Sequence, residues 1–318
     1  MTIKSSLIKN KYLKVKTLNI GASLYEVSFS KNNLILNLGS IKNYKKKHPY
    51  VGSTCGRYAN RISQAQFYIK GKKFNLIKNE KSNTLHGGKK GFDKIIWKIH
   101  YHSKEKIIYI LKSKHLDQGF PGNLEVFCEY KLNKNELVLS YYFQSDKYTH
   151  VNLTNHCYWN FNKRKSIKIF NHDLKINSSY YLPVDKQNIP LGYKKKVINN
   201  DYDFLRLSNL GYKTSFGNKP YDINYITGSK KKHFVACLVN KTSKIKMKIF
   251  SNQPGLQLYT GHKLNFKSKQ KKLSTFQGLC LETQHFPNSP NQKNFPSTLV
   301  LPNKKYRLFT NYKFEKII

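Results

Sequence analysis

The stretch LEVFCEYKLNKNELVLSYYF, residues 124–143, limits what this chain can fold into more than any other. Leu124, Val126, Cys128, Tyr130 and Leu132 alternate with more polar residues, Asn133 to Asn135 supply a turn, and Leu137, Leu139, Tyr141 and Phe143 alternate again. A period of two puts every second side chain on one face, so the segment reads as a β-hairpin with one buried side. Shorter strands are expected in KIIYILKSK, SIKIFNHDLKI, FVACLVN and IKMKIFS, and no stretch sustains a helical period. With 23 Tyr and 19 Phe the chain suits strands and is too aromatic for disorder. A length of 318 residues would admit two domains, but no linker, repeat or low-complexity block offers a boundary. The expectation is all-β: one domain over 1–318, built as a large antiparallel β-sandwich.

The formal net charge is +42, which raises the question of a polyanionic partner. Of 58 basic residues only five are arginine: Arg57, Arg61, Arg164, Arg206 and Arg307. Nucleic-acid readers depend on arginine for bidentate contacts, whereas these lysines are spread along the chain with short runs at 194–196 and 230–232. Lys, Asn, Ile, Tyr and Phe share A/T-rich codons, so genome composition accounts for much of the excess. Nucleic acid or another polyanion is expected to bind only non-specifically, if at all. The 16 acids become informative by their scarcity.

Five scattered cysteines, Cys55, Cys128, Cys157, Cys237 and Cys280, form no C-x-x-C pair and read as reduced, mostly buried thiols. MTIKSSLIKNKYLKVKTLNI has no apolar run of signal-peptide length, and nothing approaches a membrane span, so the cytoplasm is the expected compartment. No H-E-x-x-H or Cys/His spacing marks a metal site, and G-x-S-x-G is absent.

NTLHGGKKGFDKIIW, residues 83–97, has two possible uses. Glycines beside lysines favour anions, yet the spacing fits neither a P-loop nor a dinucleotide fingerprint. If His86 is the point, the glycines let backbone or ligand approach its ring. LTNHCYWNF surrounds His156 with amides and aromatic rings, which suits a carbohydrate or, equally, a buried core histidine. In GLCLETQHFPNSPNQ an apolar strand over 279–281 is expected to end at Glu282, where a carboxylate needs partners or a task. GRYANRIS holds Asn60 and Arg61, a side chain able to fix hydroxyls or a carboxylate, or to bind loop carbonyls. Asp222 in YDINYI could cap a turn, and Gln257 in PGLQLYTGH could face outward from a strand.

Together and in this order, CGRYANRI, NTLHGGKKGFDKIIW, LDQGFPGNLEV, LTNHCYWNF, LPVDKQNIPLG, YDINYI, PGLQLYTGH and LETQHFPNSPN resemble the aldose 1-epimerase (galactose mutarotase) family. The resemblance implies a mutarotase-type β-sandwich and a cofactor-free interconversion of the α and β anomers of a hexose such as galactose or glucose. It implies Glu282 as the base at the C1 hydroxyl and His156 as the acid at the ring oxygen. His86, Arg61 and Asn60 would hydrogen-bond near the ring oxygen and hydroxyls, and Asp222 and Gln257 would orient the ring. No metal is implied, the partner is a small monosaccharide, and the chain would be a monomer or homodimer. Two departures bear on sugar preference and a turn: Ile223 stands where many relatives carry histidine, and LPNKKY lacks a glycine. A silent sugar binder on the same scaffold and an epimerase for phosphorylated sugars are the alternatives. The charge further predicts depressed pKa values for both Glu282 and His156, and an alkaline limb that rises with salt.

Overall fold

Every inward-facing residue expected of the hairpin is buried, from Leu124, Val126, Cys128, Tyr130 and Leu132 to Leu137, Leu139, Tyr141 and Phe143. In the computed structural model, which describes residues 2–228 and 231–317, Leu124–Asn133 and Glu136–Ser145 pair antiparallel, with Asn133 opposite Glu136. The reversal is therefore Lys134 and Asn135 alone. Lys230, in one of the short lysine runs, lies outside the described residues.

This hairpin sits inside a nine-stranded sheet. Its order is Lys98–His102, Lys106–Ser113, Leu124–Asn133, Glu136–Ser145, Tyr306–Lys316, Ile245–Ser251, His233–Asn240, Asp173–Ile176 and Ser208–Asn209. A six-stranded sheet runs Tyr158–Trp159, Leu279–Gln284, Gly255–Tyr259, Asp222–Ile226, Tyr180–Leu182 and Lys195–Lys196. All pairings in both are antiparallel. One apolar cluster takes side chains from both sheets, including Val126, Leu139, Ile249 and Tyr312 from the larger and Ile223, Leu256, Leu258 and Leu281 from the smaller. Trp159 packs at a tilt against Tyr312 across the gap, ring centroids 5.0 Å apart, and the hydroxyls of Thr283 and Thr310 hydrogen-bond across it. The architecture is the expected sandwich. A four-stranded sheet, Ser5–Lys9, Leu13–Leu18, Ser23–Phe29 and Asn32–Asn33, adds Val15 and Val27 to the same core.

The described residues hold one α-helix, the four-residue Leu210–Lys213. No helix among them is long and apolar enough to cross a membrane. The strand expected through SIKIFNHDLKI exists only as Asp173–Ile176. Its first half turns instead, because Ile169–Asn171 forms a 3₁₀ turn and the buried His172 uses Nε2 to accept the Phe161 N–H at 2.9 Å. All five cysteines are free and buried.

Leu281, 1% exposed, points from the smaller sheet into the shared core. Leu281→Ala is expected to cost about 2–5 kcal/mol in urea unfolding. A loss below about 1 kcal/mol would mean that the two sheets do not close on each other at this point.

Candidate functional site

Alternation divides the smaller sheet into two chemically different faces. Gln257 pairs with both Glu282 and Asn224, while Tyr259 pairs with both Cys280 and Asp222, so these six side chains share one face. Leu279, Leu281, Leu256, Leu258 and Ile223 occupy the other face and join the core. Glu282 therefore lies within the strand Leu279–Gln284, and not at its end as the sequence led us to expect. The strand continues because Thr283 turns toward Thr310 of the larger sheet and Gln284 pairs with Gly255.

Loops bring the remaining groups over this face. His156 falls between two short strands, Thr154–Asn155 and Tyr158–Trp159, which pair with different partners. Its N–H donates to the Ser53 carbonyl and its carbonyl accepts the Gly52 N–H, each at 2.9 Å, so the crossing is tied down. Asn60 and His86 both adopt left-handed backbone, with φ of 64° and 50°. They bond reciprocally: His86 N–H donates to the Asn60 carbonyl at 3.0 Å, and Asn60 N–H donates to His86 Nδ1 at 3.2 Å. With Nδ1 an acceptor, the neutral His86 ring carries its proton on Nε2.

The glycines after His86 serve close approach. A Cβ on Gly87 would fall 2.0 Å from the Gly56 carbonyl oxygen, and one on Gly91 would fall 2.5 Å from the His86 carbonyl oxygen. Lys89 and Lys90 are exposed. The two arginines of GRYANRIS divide the two readings of that motif. Arg57 is the structural one, donating to the carbonyls of Pro121, Gly122 and Lys114 at 2.8, 3.0 and 3.1 Å. Arg61 instead grips Glu80 with two bonds, Nε to Oε2 at 2.6 Å and a second nitrogen to Oε1 at 3.0 Å. The same nitrogen lies 3.8 Å from Asp222, which also accepts from Gln257 Nε2 at 2.7 Å.

A cavity of about 190 Å³ opens between these parts, lined by Asn60, Arg61, His86, His156, Asp222, Gln257 and Glu282. All seven residues named from the sequence meet there. The volume is below the roughly 300–1,000 Å³ of pockets for drug-sized ligands, so a small guest fits. Glu80, Tyr50 and Tyr259 also line it and were not named. Glu80 could have been found only as one of few acids near His86. Tyr50, whose ring lies 4.5 Å from His86 and 5.6 Å from His156, carried no local signal. Of the aromatic residues beside His156, Tyr158 faces the cavity and Trp159 packs in the core.

Burial sets the titration of these groups. It pushes the Glu282 carboxyl well above the ordinary range; Asp222 adds to the rise and Arg61 opposes it. The depression expected from net charge is thus reversed, because a desolvated carboxylate outweighs a solvated field. His156 is pulled down to about 4, mainly by burial. His86 falls well below its ordinary value through burial, then His156, Arg61 and Lys94. Burial opposes the Arg61 charge, but Glu80 and Asp222 more than restore it. His156 Nε2 lies 3.9 Å from Glu282 Oε1, and Glu282 Oε2 has no protein partner. This is a general acid–base geometry: two titratable groups, each held toward its neutral form, close enough to serve neighbouring oxygens of one small ring. Among the described residues, His156, Cys280 and Glu282 also offer donor atoms within 4.8 Å of one another, so a metal there would compete for the same groups.

A family model described as Aldose 1-epimerase matches residues 4–313. The galactose mutarotase of Homo sapiens is 33% identical over 323 positions, covering 98% of this chain and 94% of that protein. The aldose 1-epimerase of Escherichia coli K12 is 30% identical, covering 97% and 94%. Among solved structures, an aldose epimerase homologue from C. elegans superposes with a TM-score of 0.93 at 25% identity over the whole of both chains. A galactose 1-epimerase from Lactobacillus acidophilus NCFM gives 0.88 at 26%, again over both whole chains.

The neutral histidines make stability depend on pH. Burial lowers His48, His150, His156 and His285 to about 4 and His172 to about 3. Between about 4 and 6.5 the unfolded chain binds more protons, so stability rises with pH in that window and is lost on acidification. Asp93 and Glu282, whose carboxyls are raised, pull the other way but are outnumbered. The urea midpoint is expected to fall steadily from pH 7 to pH 4.5, each imidazole contributing up to roughly 1.4 kcal/mol per pH unit. A flat midpoint would overturn this account.

Proposed function

The chain belongs to the aldose 1-epimerase family, and on that premise we propose that Glu282 and His156 are the proton-transfer pair of an isomerase that interconverts the α and β anomers of galactose and glucose. The observation that carries the assignment is the 3.9 Å approach of His156 Nε2 to Glu282 Oε1 in a cavity lined by the other five candidates. Glu282 takes the proton of the C1 hydroxyl while His156 gives one to the ring oxygen. The C1–O5 bond breaks and the aldehyde forms. Rotation about C1–C2 turns its other face to the O5 hydroxyl, and closure with both roles reversed returns each proton. No electrons are gained or lost, so no redox cofactor is required.

Burial supports these roles. A carboxylate with one oxygen unpartnered is a stronger base, and a desolvated imidazolium is a stronger acid. The pair holds one transferable proton, on His156 before ring opening and on Glu282 after it. Opening therefore turns a buried ion pair into two neutral groups, which a dry site favours. His86 presents Nε2–H to a sugar oxygen, Asn60 and Arg61 extend that polar wall, and Asp222 with Gln257 orients the hydroxyls.

The cavity is a poor cradle for a phosphate. Three acids, Glu80, Asp222 and Glu282, line it against two cations, Arg61, which is already engaged, and Lys263, a balance that favours a neutral sugar over a phosphorylated one. We take 1–318 as one unit of the family, in line with the match over residues 4–313 and the core shared between sheets. The five buried free thiols fit a cytoplasmic protein, the lysines are read as solvated surface without a specific polyanion, and the chain is read as a monomer or homodimer.

Polarimetry on freshly dissolved α-D-galactose and α-D-glucose is expected to show accelerated mutarotation. Glu282→Gln and His156→Ala are each expected to lower kcat by roughly 10²- to 10⁴-fold. A folded wild type that accelerates neither sugar would move the reading to a silent binder. Because burial, and not bulk charge, dominates the shift at His156, the alkaline limb of the rate profile is expected to move little between low and high salt. A large upward movement would return the surface lysines to the mechanism.

A further inference from the structure

Cys280 has no part in the reading above, yet it faces the reaction centre. It shares its sheet face with Glu282, two residues on, and is fully buried. Its Sγ lies 3.4 Å from His156 Nδ1. The two nitrogens of that ring thus meet different neighbours: Nδ1 the sulfur, and Nε2 the Glu282 carboxyl and the cavity. Tyr50, Tyr158, Tyr259 and His86 surround the ring, its own backbone hydrogen-bonds to it, and Asp222 and His48 act on it from farther away. Burial, then Glu282, holds the Cys280 thiol well above its ordinary value, so the sulfur remains an uncharged S–H.

We propose that Cys280 is a positioning residue whose sulfur accepts a hydrogen bond from His156 Nδ1–H, fixing the tautomer and tilt that leave Nε2 free to give and take the sugar's proton. The inference rests on His156 as the acid at the ring oxygen. Closure requires Nε2 to accept the O5 hydroxyl proton, and a neutral imidazole can do so only with its own proton on Nδ1. The sulfur is the side-chain partner within reach of that proton.

The choice of sulfur also has a consequence. A carboxylate at Nδ1 would orient the ring but stabilise the imidazolium, as in a Ser-His-Asp triad. A neutral thiol is a weak acceptor, so it orients the ring with little gain to the charged form. The imidazolium therefore stays acidic enough to protonate an ether oxygen, which is a very weak base. Cys280 sets direction, and burial sets strength.

The test compares Cys280→Ala, Cys280→Ser and His156→Ala with wild type by polarimetry across pH, with urea midpoints to establish that each is folded. Cys280→Ala is expected to lose roughly ten- to a hundredfold in kcat, in the range for groups that orient a reacting ligand, with KM changed less than about twofold. Cys280→Ser, whose hydroxyl is a stronger acceptor, is expected to keep most of kcat and to move the alkaline limb upward. The ¹⁵N shifts of the His156 ring should report Nδ1–H in wild type and a mixture of tautomers in Cys280→Ala. Unchanged kcat and pH profile in Cys280→Ala, with His156→Ala inactive, would overturn this inference alone. An active His156→Ala would overturn the acid assignment and this inference with it. Should Cys280→Ala fail to fold, an unmoved limb in Cys280→Ser would overturn it.

Discussion

The structure turns on the antiparallel pairing of the Gly255–Tyr259 and Leu279–Gln284 strands, which places Gln257 opposite Glu282. One strand serves two chemistries by alternation. Leu279, Leu281 and Thr283 face the larger sheet, while Cys280, Glu282 and Gln284 face the cavity side. A shift of register by one residue would exchange the faces, placing the carboxyl in the core and the leucines in the site. The packing of the two sheets, from Trp159 on Tyr312 to Thr283 on Thr310, thereby fixes which side chains face the cavity.

That arrangement carries an electrostatic cost, and part of it falls on the face that carries Glu282. Asn224, Gln257 Oε1, Glu282 Oε2 and Gln284 are buried on the cavity face without protein partners. Buried polar atoms are normally satisfied, and of these four residues Gln257 and Glu282 line the cavity, where a ligand would reach them. Around it the charges are balanced in series: Glu80 on Arg61, Arg61 on Asp222, Asp222 on Gln257. The chain of partners holds each group in place and leaves Glu282 as the member whose second oxygen is unpartnered.

The fold was legible in the sequence wherever a strand has one wet and one dry face. The hairpin of 124–143 showed its whole inward set because solvent on the other side kept the alternation clean. SIKIFNHDLKI misled because Ile167 and Ile169 mimic alternation while the buried His172 draws the backbone into a turn. The seven named site residues were legible through ordered motifs and family resemblance, since no spacing within the chain brings Asn60, His156 and Glu282 together. What stayed hidden was decided by tertiary contact. Which arginine of GRYANRIS was structural depended on a loop more than fifty residues away, and Tyr50 and Glu80 enter the site from segments with no distinguishing pattern.

The charge of the chain and the chemistry of its site are separable for a related reason. Lysines sit overwhelmingly in water, where their field is screened within about 10 Å at ordinary salt. Groups inside the cavity respond first to the loss of water, which drives Glu282 up against the sign that +42 would impose. The distribution of acids points the same way. Of 16 acidic residues in 318, three line one cavity of fourteen residues, where an even spread would place fewer than one. The same lining holds one lysine, Lys263, so the excess that fills the surface does not extend into the cavity.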